Sequence, residues 1–143
     1  MTNHSRPGRD AGVVTPIEMM YLLVFAVVAT ALLGFLGRLH AAGVQVGTVA
    51  QAAARSASLA PTSAAGIAAA LTAVGSSTLS SQCRDRPTTT VGWSPSSNGT
   101  WHGGTVSVRV SCVIDNSTLA GWWAPGSRTI QVSDTQPIDR YQR

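Results

Sequence analysis

Only a handful of residues in this chain are of a type and at a spacing that could do chemistry, and the first is a single carboxylate. Glu18 stands at the N-terminal edge of the apolar run TPIEMMYLLVFAVVATALLGFLG, which extends from Thr15 to Gly37. A carboxylate in that position has two possible uses. Thr15 lies three residues before it, the spacing of a capping box in which the acid reaches back to an unpaired N–H, and an anion there also suits the positive end of the helix dipole. Alternatively it is a charge held at the rim of a membrane helix, which is costly and usually marks a function such as pairing with a cation. The second group is Cys83 with Cys112, the only cysteines. An even count in an exported segment predicts one disulfide whose connectivity is forced. Closing a loop of about thirty residues would contribute roughly 3–4 kcal/mol in the chain-entropy model.

No catalytic constellation accompanies them. The histidines are His4, His40 and His102, and His102 has no Cys or carboxylate nearby in sequence at metal-ligand spacing. No Gly-x-Ser-x-Gly elbow is present, so a Ser/His/Asp arrangement would have only His102 as its base. No phosphate-binding glycine loop of recognised form occurs. The expectation is a non-enzyme with no metal, no cofactor and no small-molecule substrate. Asn98-Gly-Thr and Asn116-Ser-Thr match the glycosylation acceptor pattern, which in a chain so rich in Ser and Thr is expected by chance.

These residues are positioned by few elements. From Met19 to Gly37 nothing is charged, and about nineteen residues at ~1.5 Å rise give roughly 28 Å of helix, close to the ~30 Å hydrocarbon core of a bilayer. Pro16 is tolerated in the first turn because its missing N–H would have no partner there. Beyond Gly37 the helical period continues: Leu39, Ala42, Val46, Val49, Ala53, Ala57 and Ala60 recur at spacings of three or four, with Thr48, Gln51, Arg55 and Ser58 on another face. One helix of about 45 residues, ~70 Å long, is therefore expected up to Pro61. Its small apolar residues suit close packing. Thr62 or Ser63 caps a second helix to about Val74, and Gly75 with the Ser/Thr-rich run 76–81 breaks it. Three strands follow. Thr88–Trp93 places Thr89, Val91 and Trp93 on one face. In Thr105–Ile114 the side chains of Val106, Val108, Val110, Cys112 and Ile114 point one way. Arg128–Ser133 turns Ile130 and Val132 inward. The stretch 95–104 is dense in turn formers and reads as an irregular hairpin loop. The fold class expected is α+β, with an antiparallel meander resting one face on the long helix. Cys112 then lies on the buried face and Cys83 in the loop leading to the sheet. Trp122 and Trp123 pack under the sheet or sit at a membrane or subunit interface, the first being preferred.

The 143 residues leave room for one small domain beyond the helix. Residues 1–12 are polar with Pro7, Gly8 and Gly12 and form no core; residues 13–37 are the membrane span and 38–143 the sheet-bearing domain. The net charge of +4 comes from ten basic residues, all arginine. They are scattered along the sequence without interleaved aromatics, which argues against nucleic-acid binding. The cysteine pair and the Ser/Thr-rich remainder favour a cytoplasmic N-terminus, a single pass through the cell membrane and an extracytoplasmic C-terminal domain.

The stretch DAGVVTPIEMMYLLVFAVVATALLGFLGRLHAAGVQVGTVAQAAARSASLA resembles the TadE-like family of Tad/Flp pilus assembly proteins, which are type IV pilin-like. The features that carry the resemblance are Asp10 and Gly12 in the leader, Glu18 at the membrane edge, Gly37-Arg38 after the apolar run and Ala53-Ala54-Arg55 in the helical extension. It covers residues 10–60 well, with the closing SDTQPIDRYQR similar to the tails of short members. The resemblance implies a minor pilin or pseudopilin whose partners are membrane lipid, other pilin or pseudopilin subunits and Tad inner-membrane assembly proteins. It makes Gly12 the candidate for leader cleavage, Val13 the first mature residue and Glu18 the assembly residue. Glu18 then becomes the sixth mature residue, where the family has the fifth, and Pro16 occupies the intervening run. The alternative is a signal-anchored extracytoplasmic binding module unrelated to pili.

Overall fold

The computed structural model describes residues 15–117 and 126–140. Gly12, Val13, Trp122 and Trp123 lie outside the described residues. The architecture is α+β: helix α1 (Pro16–Ser58), helix α2 (Ser63–Gly75), a single turn α3 (Leu79–Gln82), and strands β1 (Thr88–Ser94), β2 (Thr105–Asp115) and β3 (Ser127–Pro137). The chain divides into two compact units, one up to Gly34 and one from Phe35 onward.

The first unit consists, among the described residues, of the apolar part of α1. None of its most hydrophobic window is buried, and by length and composition the helix is able to cross a membrane. Thr30 does not break the pattern, because its hydroxyl donates to the Ala26 carbonyl at 2.7 Å. A hydroxyl bonded within its own helix can enter hydrocarbon without losing a partner.

The second unit holds the sheet, ordered β1-β2-β3 and antiparallel throughout. Each ladder keeps one register without a bulge: Thr88 faces Ser111 and Ser94 faces Thr105, while Thr105 faces Pro137 and Asp115 faces Ser127. The alternation of β2 fixes which face is buried. Val106, Val108, Val110, Cys112 and Ile114 all turn into the core. There they join Val46, Ala50, Ala53, Ala54 and Ala57 of α1, with Ala70 and Val74 of α2. Alanine along α1 brings helix and sheet close together, and each fully buried valine contributes about 1.5–3 kcal/mol. The order of α1 relative to β2 is also settled. Arg38, Ala41 and Ala42 share a cleft with Ile114, whereas Ala60, just beyond α1, accepts a hydrogen bond from Trp101. The two elements therefore run in opposite directions.

Several details depart from the sequence reading. Helix α1 stops at Ser58, three residues short of Pro61, because proline disfavours helical backbone in the residue before it; Ala60 N–H instead closes a turn on the Ala57 carbonyl. Ser58 shares the polar face with Thr48, Gln51 and Arg55 but is buried there, with its hydroxyl donating to Arg55 C=O at 2.9 Å. The run 76–81 ends α2 as expected, but its last residues enter the turn α3, which buries Leu79. Strand β3 runs on past Ser133 to Pro137. Trp93 is 40 % exposed, unlike its half-buried face-mates Thr89 and Val91.

The hairpin connection 95–104 has more order than its composition suggests. Gly99 adopts φ +74 and its N–H closes a turn onto Ser96 C=O, a conformation that glycine takes without strain. Trp101 folds back from this loop into the core. Its indole N–H donates to Ala60 C=O at 2.9 Å, and its ring meets that of Trp93 edge-on with centroids 5.5 Å apart. Gly66 of α2 makes room for it, because a Cβ there would stand 2.9 Å from Trp101 Cζ2 and 3.1 Å from the Ala57 carbonyl oxygen. Gly66→Ala gains up to ~1 kcal/mol of helix propensity, against about 1–3 kcal/mol for overpacking a ring that its hydrogen bond holds in place. The overpacking wins. Thermal denaturation should show a melting temperature lower by several degrees, at roughly 4–8 °C per kcal/mol. An unchanged or higher value would mean that the indole shifts freely.

Candidate functional site

The end of α1 is built as the capping spacing predicts. Thr15 N–H donates to Glu18 Oε2 at 3.0 Å, and Met19 N–H reaches Thr15 C=O at 3.2 Å. The fixed φ of Pro16 starts the helix, and Glu18 in the first turn faces the partial positive charge of the unpaired N–H groups. This contact engages one carboxylate oxygen. The side chain is exposed among apolar neighbours, Ile17, Met19 and Met20 being exposed as well. Among the described residues no cation pairs with it. The geometry thus satisfies the helix end and leaves the carboxylate accessible to a second group.

The cysteines meet as expected. Cys83 and Cys112 are joined by a disulfide across a sequence separation of 29, with Cα atoms 5.4 Å apart. Cys83 terminates α3, its N–H bonded to Leu79 C=O, and the next N–H, from Arg84, reaches Val113 C=O at 2.7 Å. The bridge therefore fixes the loop before β1 to the central strand. Both cysteines are buried, so the bond is a staple and not a surface redox couple.

The remaining candidates do not assemble. His102 is half-buried and its Nδ1 has no hydrogen-bond partner among the described residues; His40 lies exposed on α1. Among the described residues no three His, Cys, Asp or Glu side chains come together as a metal site. Ser96 and Thr100 bond to each other at 2.9 Å within their turn, and Thr100 Oγ1 also donates to the His102 backbone carbonyl at 3.1 Å. An open cleft of about 470 Å³ between α1 and β3 is lined by Thr48, Gln51, Arg55, Ser58 and Gln136 among others, and holds no nucleophile beside a base.

One grouping was hidden in the sequence. Arg38 lines a cleft with Gln45, Ser81, Gln82 and Ile114; Arg84 stands beside Asp115, Nη1 to Oδ1 3.4 Å; Arg128 lies across the ladder from Ile114. Arg86 lines the adjoining cleft with Ser80 and Pro87. All four guanidinium side chains are exposed. They are far apart in sequence, and only the β2–β3 register and the fold-back of α3 bring them to one rim.

No protein-family model matches the chain, and the searches of curated proteins and of solved structures found no match to it.

Proposed function

We propose that the chain is a non-enzymatic, membrane-anchored minor pilin or pseudopilin acting in Tad/Flp-type pilus assembly or secretion. The observation that carries this reading is helix α1, whose apolar first part is unburied while its later part forms the backing of a small disulfide-tied sheet. The N-terminus is cytoplasmic and the sheet extracytoplasmic, which the disulfide supports because such bonds persist in oxidising compartments. Membrane lipid surrounds the span. Glu18 pairs with a cation of a neighbouring subunit, a new N-terminal amine being the group of suitable chemistry. Other pilin or pseudopilin subunits and Tad inner-membrane assembly proteins are the partners.

Capping and pairing at Glu18 separate experimentally. Glu18→Gln keeps an oxygen for Thr15 N–H and removes the charge, whereas Glu18→Ala removes both. A lost cap costs about 0.5–2 kcal/mol, while removing one partner of a buried ion pair costs about 3–5 kcal/mol. Both variants should insert in the membrane normally. Incorporation into the assembly, measured by co-purification with pilus components from the native host, should fall at least about a hundredfold in both. Normal incorporation of Glu18→Gln would restrict Glu18 to capping and remove the assembly role.

A further inference from the structure

We infer that the arginine rim of the second unit seats on anionic phospholipid headgroups of the bilayer that α1 crosses. This rests on the membrane reading above. The apolar run ends within the second unit itself, at Phe35, Leu36 and Gly37, with Phe35 and Leu39 packed against the core. Arg38 and Ala42 follow within about 8 Å along the helix axis, a distance comparable to the headgroup layer that flanks the hydrocarbon. Ile114, Ser81 and Gln82 share a cleft with these residues, so the end of β2, the start of β3 and α3 stand at the same level. That level carries Arg38, Arg84, Arg86 and Arg128 against two carboxylates, Asp85 and Asp115. The opposite rim, where Gly103 and Gly104 bond to Ile138, carries among the described residues the carboxylate of Asp139 and two guanidinium groups, Arg140 and Arg55, the latter sharing a cleft with Ser58 and Gln136. The larger group of guanidinium side chains is therefore on the rim of this unit that carries Phe35 and Arg38.

Guanidinium groups suit this partner because their planar fork matches phosphate oxygens and is weakly hydrated. The Arg84–Asp115 contact is no obstacle. Both side chains are substantially exposed, 58 % and 37 %, and an exposed pair of this kind contributes little. Each arginine near an anionic surface should strengthen the association by a factor of roughly five, an effect screened by salt.

The test uses the full chain reconstituted in phosphatidylcholine vesicles containing a minority of phosphatidylglycerol. Spin-labelled forms of the two lipids report which is retained at the protein surface. The wild type should prefer phosphatidylglycerol by about fivefold or more, and the preference should fall in high salt. The variant R84Q/R86Q/R128Q should lose most of it, whereas R140Q at the far rim should keep it; disulfide formation and far-ultraviolet circular dichroism verify that both fold. Equal retention of the two lipids by a wild type that floats with the vesicles would overturn the lipid inference and leave the anchor standing. Undiminished preference in the triple variant would overturn it equally. A chain that does not float with vesicles would overturn the anchor and the inference together.

Discussion

Replacing Trp101 by alanine should come close to unfolding the sheet-bearing unit. The side chain is 8 % exposed and reaches from the β1–β2 connection to the end of α1. Truncating a buried tryptophan costs about 3–5 kcal/mol through lost burial and the cavity that remains. The Ala60 carbonyl loses its donor, and Trp93 loses its edge-on partner. A domain of this size is stabilised by only about 5–15 kcal/mol in total. Trp101→Phe separates the contributions in part, since it keeps most of the apolar volume while removing the N–H and part of the ring system; an unsatisfied buried group costs about 1–3 kcal/mol. Urea denaturation of the detergent-solubilised chain, followed by circular dichroism, should place the midpoints in the order wild type, Trp101→Phe, Trp101→Ala. Equal midpoints for wild type and Trp101→Ala would show that the loop packs on the core without supporting it.

Removing the disulfide should be nearly as costly. The bridge closes 29 residues of chain, for which the chain-entropy model gives roughly 3–4 kcal/mol. Cys83→Ala/Cys112→Ala is the cleaner variant, because serine at position 112 would bury a hydroxyl at a site 1 % exposed. The lost stability should appear as a lower denaturation midpoint, and reductant should lower the wild type to a similar level while leaving the variant unmoved. A reductant-insensitive wild type would mean that the bond does not form in solution. Arg84 adds a structural corollary: its N–H bond to Val113 lies next to the bridge, so amide exchange there should accelerate most when the bridge is absent.

Much of this fold could be read from residue pattern alone, and the exceptions have physical causes. Helix α1 and strand β2 follow directly from strong periodicity, of small apolar residues in one and of β-branched residues in the other. The second half of β3 was not apparent, because Asp134 and Gln136 occupy the inward positions that Ile130 and Val132 begin. They satisfy each other there, Gln136 Nε2 donating to Asp134 Oδ2 at 2.7 Å, so the strand continues without an apolar alternation to announce it. Trp101 was concealed by turn-forming neighbours, and its role depends on a contact 41 residues away in sequence. At the candidate site, the Thr15–Glu18 contact is local and its spacing announced it. The arginine rim depends on strand register and could not be seen by scanning along the chain.

Membrane anchoring requires that α1 remain whole in the mature protein, with its apolar part in the bilayer. N-terminal sequencing and intact-mass measurement of the protein recovered from membranes test this directly. The predicted result is a membrane-bound chain that retains Thr15 to Gly37, beginning either at the original N-terminus or at Val13. A mature chain beginning near Ala42 or Gly43 and recovered in the soluble fraction would contradict it, because the apolar run would then have been only an export signal.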